Sequence, residues 1–239
     1  MIKSAKYFHR FEGLVILGKL IVLEGIDGSG KSSQYARICR RLEEDGISYH
    51  HIVFPRYNKE SSALVRLYLN GNFGSDPDAV NAYTASTFFA VDRFASYRDD
   101  WGDEYKKGRL ILSDRYTTSN AVHQGSKLPA EQLPEYFSWL SDLEYNRMLL
   151  PKPDLVIYLE TTLEISVKRM RRRESATGTH ADIHEQNISY LEKCLKTAEL
   201  ACDFFGWKRI SCLDEYGRER RLGEKNDEIF AEIRKFLGQ

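Results

Sequence analysis

Four apolar residues, Leu20-Ile21-Val22-Leu23, run straight into GIDGSGKS at Gly25 to Ser32. The segment is a Gly-x-x-x-x-Gly-Lys-Ser loop set where a strand hands over to a helix. Its glycines let the backbone curl until successive N–H groups face one concavity, which suits the phosphates of a nucleoside triphosphate. Lys31 is spaced to reach the β- and γ-phosphates, and the Ser32 hydroxyl to ligate Mg²⁺. A helix predicted over Lys31–Glu44 adds its positive N-terminal end to the cradle. The triphosphate-binding set is therefore Gly25, Gly28, Ser29, Gly30, Lys31, Ser32 and Ser33, with a nucleoside triphosphate as the expected ligand.

Strand and helix signals alternate through the rest of the chain, which implies a parallel sheet with helices on both faces. Strands are predicted at Leu20–Glu24, Tyr49–Phe54, Arg109–Ser113, Leu155–Glu160 and Lys208–Cys212. Asp76-Pro77 reads as the start of a long helix reaching Trp101, and Thr161 to Glu164 as a capping box. A polar, Gly-containing segment, Glu174–Asp182, precedes a helix from about His184 to Phe205. In such a sheet ligands sit at the carboxyl ends of the strands. The phosphate loop, Phe54-Pro55-Arg56-Tyr57 and Asp114-Arg115-Tyr116 all fall there.

The 239 residues suit one α/β domain, taken as 19–239 after an extension over 1–18 that is expected to be poorly ordered. Lys3, Lys6 and Arg10 before an apolar stretch loosely resemble a secretion signal, but cleavage there would remove the strand that the loop needs. Lys and Arg total 35, as do Asp and Glu, so no global field would hold a nucleic acid, and a small-molecule substrate is expected. No run of 18 apolar residues suggests a membrane span. Cys39, Cys194, Cys202 and Cys212 form no Cys-x-x-Cys pair, which argues against zinc and for a reducing, cytoplasmic setting.

Several residues outside the loop point to chemistry. Phe89 and Arg93 lie one helical turn apart, where a ring can stack on a base and a guanidinium can donate to its edge; Phe88 and Phe94 are assigned to the core. Arg56 or Arg115 alone would read as half of a surface ion pair. Together, at the ligand end of the sheet, their forked guanidiniums suit phosphate oxygens. Asp114 ends its strand as an Mg²⁺-organising acid does. Arg169, Arg171, Arg172 and Arg173 lead into the polar segment, which reads as a lid over about 169–185 that delivers arginines to a transferring phosphoryl group.

With these motifs in order, the chain resembles the thymidylate kinase family over about Lys19–Leu200. The resemblance rests on LEGIDGSGKSSQ (23–34), FPRY (54–57), FFAVDR (88–93), DRYTTSNAVHQG (114–125), LPKPDLVIYLE (150–160) and the arginine-rich lid. It implies a P-loop NTPase fold with a five-stranded parallel sheet and a short lid, and ATP- and Mg²⁺-dependent phosphorylation of dTMP. It places Phe89 on thymine, with Arg93 and Asn120 reading the base edge. Arg56 and Arg115 would hold the acceptor phosphate, with Phe54 and Tyr57 beside it. Asp27 would lie at the sugar 3′-hydroxyl, and Asp182 and Glu185 would form the acidic pair after the lid. Lys31, Arg115 and a lid arginine would be catalytic; Arg169 and Arg173 match the lid-helix positions best, but the segment Glu174–Asp182 has no arginine of its own, which leaves the choice among Arg169, Arg171, Arg172 and Arg173. Ser32 and Asp114 would face the metal. The loop itself has no arginine, so the subtype whose lid supplies arginines fits best. His123 stands where an aromatic usually flanks the sugar 2′ position, and His184 replaces another aromatic between the lid acids. The family commonly dimerises, so a homodimer is expected, along the long helix that is apolar on more than one face. The rival readings are a deoxynucleoside kinase, with Asp27 as its base, another pyrimidine monophosphate kinase, and a non-catalytic nucleotide-binding module.

Overall fold

The computed structural model describes residues 17–177, 183–184 and 187–239. The expected extension 1–18 thus falls almost wholly outside the described residues, as do Asp182 and Glu185. Five strands, β1 (Lys19–Glu24), β2 (Tyr49–Val53), β3 (Leu110–Asp114), β4 (Leu155–Glu160) and β5 (Lys208–Ser211), form one parallel sheet in the order β2-β3-β1-β4-β5. Register is set by pairs such as Val22↔Ser113 and Leu23↔Ile157. The strand that feeds the phosphate loop is central and buried from Leu20 onward.

Alternation along β1 sends its side chains to two cores. Ile21 and Leu23 pack with Ile38 and Leu42 of α1 (Lys31–Glu44) and with Phe230 and Ile233 of α9 (Leu222–Leu237). Leu20 and Val22 face Trp101, Ile111 and Tyr116 on the other side. Full burial of such side chains stabilises by about 1.5–3 kcal/mol each, and Leu23→Ala would cost roughly 2–5 kcal/mol.

Between these lie α2 (Ala63–Leu69), α3 (Ala82–Ser96), α4 (Gly102–Lys106), the single turn α5 (Thr117–Ser119), α6 (Leu133–Ser141), α7 (Leu163–Thr177) and α8 (Ile188–Phe205). Several boundaries correct the sequence expectation. Asp76 caps only the short turn Pro77–Ala79, accepting from the Asp78 N–H at 2.8 Å. Asn81 caps α3 through the Thr84 N–H at 2.8 Å. Thr162, not Thr161, holds the start of α7 by accepting from the Ile165 N–H at 3.3 Å. The segment expected as an interruption from Glu174 continues α7 as far as Thr177, and α8 begins only after its Asn187 cap.

Three π-helical turns, Tyr97–Trp101, Asn120–Gln124 and Asp142–Arg147, have no counterpart in the sequence reading. Such widened turns often sit at functional sites. Here one of them brings Asn120 and His123 to the smaller cavity, and another sets the fully buried Glu144 against Arg93. Among the described residues no helix is long and apolar enough to cross a membrane, and all four cysteines are free.

Candidate active site

Two connected cavities open at the carboxyl ends of β1, β2 and β3. The larger is a cleft of about 1200 Å³ floored by the phosphate loop. Gly28 (φ +75°) and Gly30 (φ +91°) adopt left-handed conformations that an L side chain resists, and a Cβ on Gly28 would strike the Ser166 backbone. The loop is braced from behind: the Ser166 hydroxyl donates to the Asp27 carbonyl, and Arg169 Nη1 donates to the carbonyls of Gly28 (3.1 Å) and Ser29 (2.7 Å).

Ser29, Gly30, Lys31, Ser32 and Ser33 line this cleft, with Arg172 and Arg173 from α7. Gly25 does not; its N–H is turned to Glu24 at 2.8 Å. Lys31 is buried, and its Nζ stands 3.6 Å from Asp114 Oδ1. Burial and the nearby Arg115 charge push the Lys31 pKa down, and Asp114, Asp27 and Glu24 oppose that shift. Asp114 Oδ1 is buried and has no hydrogen-bond partner among the described residues. Two cleft residues were missed by the sequence reading, Glu219 and Lys225, which flank the start of α9.

The smaller cavity, about 110 Å³, branches from the cleft past Asp27, Phe54, Tyr57 and Arg115. Arg115 stands at the junction. Its φ of +66° is unusual for a residue with a Cβ and costs on the order of 1–2 kcal/mol. The conformation is held by its N–H to the Leu23 carbonyl (3.1 Å) and by the Ser113 hydroxyl on its own carbonyl. Arg115 Nη2 donates to Asp27 Oδ1 at 2.5 Å, and Nη1 reaches His123 Nε2 at 3.1 Å, Ser119 Oγ at 3.3 Å and Glu24 Oε1 at 3.4 Å. Burial alone would raise the Asp27 pKa; the Arg115 charge outweighs it and holds the carboxyl well below its usual range. Burial would likewise lower the Arg115 pKa, and Asp27 and Glu24 reverse that.

Because an arginine only donates, His123 Nε2 accepts, which leaves Nδ1 protonated toward Cys194 Sγ, 3.7 Å away. Burial, reinforced by Arg115, pushes the His123 pKa down to about 4. His184 stacks on it with ring centroids 5.7 Å apart and planes 6° from parallel, and meets the Tyr68 hydroxyl at 2.8 Å.

Farther in, Phe89 and Arg93 line the same pocket as Asn120. Arg93 is 1% exposed, and Glu144 grips its fork: Nε to Oε2 at 2.6 Å and Nη2 to Oε1 at 2.5 Å. Among the described residues its Nη1 has only the Tyr116 carbonyl at 3.4 Å. Glu144 also accepts from the Thr117 hydroxyl at 2.7 Å and from Asn120 Nδ2 at 3.5 Å. Asn120 Nδ2 donates to the Ser86 carbonyl at 3.1 Å, which leaves the amide oxygen as its remaining group.

Glu144 is the central residue that the sequence reading missed. A signal was present. Leu133, Phe137, Leu140 and Glu144 follow helical spacing on a buried stripe, and a carboxylate on such a stripe demands a buried cation.

Two expectations are corrected. Arg56 lines neither cavity. Its guanidinium is engaged by Asp92 (3.3 Å), Asp99 (2.8 Å) and the Ser61 hydroxyl (3.0 Å), so it ties the Phe54–Tyr57 turn to α3. Phe94, expected in the core, is 40% exposed, because it follows Arg93 around the helix, away from the buried side.

A phosphate loop under a bank of cations, opening into a buried side pocket with a base-sized polar floor, defines a nucleotide kinase of the P-loop class. The family model for thymidylate kinase matches residues 23–210. A thymidylate kinase of Mycobacterium tuberculosis is 29% identical over 191 residues, 79% of this chain and 87% of that protein. One from Ligilactobacillus salivarius is 30% identical over 198 residues, covering 82% and 89%. The solved thymidylate kinase of Candida albicans superposes with a TM-score of 0.67 over 93% of each chain at 21% identity, which supports the fold. The chain belongs to the thymidylate kinase family and is a phosphotransferase.

Proposed function

We propose that this enzyme moves the γ-phosphoryl group of ATP onto the 5′-phosphate of dTMP, giving dTDP. The observation that carries this reading is Arg115, held at the junction between the phosphate-loop cleft and the base pocket. A guanidinium there spans donor and acceptor phosphates alike. Phe89 stacks on thymine, Arg93 Nη1 donates to the base's 4-carbonyl, and the Asn120 amide oxygen accepts from its N3–H. Asp27 faces the 3′-hydroxyl, His123 the 2′ side of the sugar, and Phe54 and Tyr57 flank the acceptor phosphate.

The acceptor oxygen is already ionised near neutral pH, so no general base is needed. Catalysis is by in-line positioning and charge stabilisation. Lys31 neutralises charge on the γ-phosphoryl oxygens, and Arg115 holds the acceptor. Arg169 is occupied in bracing the loop, so Arg173, one turn further along α7 and on the cleft wall, is the lid arginine that meets the transferring group.

Ser32 and the hydrogen-bond-orphaned Asp114 Oδ1 fit Mg²⁺. Among the described residues no cluster of three or more metal-ligating side chains exists. That suits an ion held by one carboxylate, a hydroxyl, water and the substrate's own phosphates. When bound, such an ion would neutralise charge on the donor's phosphates.

Residues 19–239 act as one catalytic domain, with the lid beginning on α7, in a reducing cytoplasm that keeps the thiols free. Exposed Leu64 and Leu67 of α2, with Val91 and Phe94 of α3, offer an apolar face for a homodimer; light scattering of the Phe94→Glu variant checks this by a halved mass.

ADP release in the presence of ATP and Mg²⁺ tests the reading. dTMP should support turnover, whereas thymidine, or ATP alone, should not. Turnover with thymidine would mean a sugar-hydroxyl kinase, and turnover without any acceptor a hydrolase-like module.

A further inference from the structure

We infer that Lys127 is a positioning residue for the acceptor pocket: acting through the Tyr68 hydroxyl, it sets the ring that covers the base and the imidazoles beside the sugar, and so controls how tightly the nucleoside monophosphate is held. The inference rests on the reading that the smaller cavity takes the acceptor.

Lys127 ends a short helical turn, Gly125–Lys127, that follows the π-helical turn carrying Asn120 and His123. It lines neither cavity. Its ammonium donates to the Tyr68 hydroxyl oxygen at 2.8 Å and to the Val80 carbonyl at 2.7 Å, and lies 4.8 Å from the centroid of the Tyr68 ring. Tyr68 belongs to α2, and Val80 immediately precedes Asn81, the cap of α3. One side chain therefore ties together three segments around the pocket. Both oxygens that it meets are neutral. Burial pushes the Lys127 pKa down to about 8, while Asp78 works against that shift. Asp78 itself stands 3.6 Å from the Lys193 ammonium. A half-buried ammonium is costly to desolvate, and its two hydrogen bonds offset that cost.

Tyr68 passes this contact to both sides of the pocket. Its buried ring stands edge-to-face on Phe89, with centroids 6.3 Å apart and planes at 89°, and on His184 at 5.4 Å and 71°. Its hydroxyl meets His184 Nε2 at 2.8 Å and the Pro77 carbonyl at 3.2 Å. The lysine donates to the phenol oxygen, so the phenol's single hydrogen points elsewhere, and the nearer of these two acceptors is His184 Nε2. A donor on that oxygen also strengthens the bond that the hydroxyl makes in turn. Burial, reinforced by the neighbouring His123, pushes the His184 pKa well below its usual value, so the imidazole is neutral and its Nε2 can accept. His184 lies parallel to His123, whose own Nε2 accepts from Arg115. The line from Lys127 thus runs to Phe89 over the base and to His123 beside the sugar. Without the ammonium, Tyr68 loses the donor that orients it, and Phe89 and His184 lose a fixed surface to pack on. Lys127, Tyr68 and His184 do not line the phosphate-loop cleft, so the loss falls on holding the acceptor rather than on the chemical step.

Steady-state kinetics with dTMP, ATP and Mg²⁺ test this on the full-length native enzyme, Lys127→Met, Tyr68→Phe and the double variant. Lys127→Met should raise the KM for dTMP roughly tenfold, the loss expected for one hydrogen bond to a charged group. The kcat at saturating dTMP and the KM for ATP should stay within about twofold of native, the pattern of an interaction lost equally from ground and transition states. Tyr68→Phe should behave in the same way, and the double variant should be no worse than the single ones, because both remove one contact. An unchanged KM for dTMP in a folded variant overturns the inference. A kcat that falls as far as KM rises also does, and so do effects that add in the double variant. Should Lys127→Met fail to fold, Tyr68→Phe decides alone, since it keeps the ring and deletes only the hydroxyl. A native enzyme that leaves dTMP unphosphorylated fails the functional reading and this inference with it, whereas normal native turnover with an unchanged KM in the variants fails the inference alone.

Discussion

The acceptor pocket and the donor cleft share Asp27 and Arg115, yet they treat charge differently. In the pocket each cation has an anion before any ligand arrives: Arg93 with Glu144, and Arg115 with Asp27. In the cleft Lys31 stands 3.6 Å from Asp114, and Arg169 donates to carbonyls as well as to Glu219. The pocket is preorganised, so its job is to choose, because prepaired groups lose little on binding the right base and are left unsatisfied by the wrong one. The cleft has more cations than carboxylates on its walls, so it is suited to receive phosphate charge.

The largest effect should come from challenging the pocket's choice. Arg93 has only donors, so the amino group of cytosine would set donor against donor. Steady-state kcat/KM for dCMP should fall on the order of 10⁴-fold below dTMP, and that for dUMP, which lacks only the methyl, by about 10–200-fold. Near-equal use of dCMP would mean that Arg93 does not read a carbonyl.

Next in size is the ion pair beneath the base. Glu144→Gln leaves the Arg93 charge buried and unmatched, which should cost roughly 3–5 kcal/mol of stability by urea denaturation. A cost below about 1 kcal/mol would show that the pair is not the keystone of the pocket.

A third expectation concerns pH. The folded His123 pKa is lowered to about 4, and the unfolded value is about 6.5. The unfolded chain therefore takes up a proton first as pH falls. Stability should be full above pH 6.5 and should decline toward pH 4, by about 3 kcal/mol if this group acts alone. His123→Gln, which keeps an acceptor for Arg115, should flatten that part of the curve relative to the native protein. Matching slopes would show that His123 is not held neutral.

The smallest effect is at the sugar. His123→Tyr, with a larger ring, should raise the preference for deoxyribose over ribose severalfold, and equal kcat/KM ratios would show that residue 123 does not touch the sugar.

Much of this could be read from the chain because its signals are local. GIDGSGKS, β4 over Leu155–Glu160 and α1 over Lys31–Glu44 follow from adjacent residues and emerge as expected. The pocket's chemistry was only half legible because its logic is long-range. Arg93 finds its partner 51 residues away, on a π-helical turn that no periodicity announces. Arg56 was misplaced because a motif gives position along a strand end but not the direction of a flexible side chain. Asp92, on the next helix, settles that direction. Lys225 carried no motif at all, and only the packing of α9 against the loop helix brings it to the cleft.

The division of labour itself is tested most directly by calorimetric titration of Lys31→Ala with dTMP. Lys31 belongs to the donor cleft alone, so phosphoryl transfer should fall by a factor on the order of 10³ or more, while the dissociation constant for dTMP stays within about threefold of the native protein. A folded Lys31→Ala variant that no longer binds dTMP would contradict the account, since the acceptor would then depend on the cleft rather than on the preformed pocket.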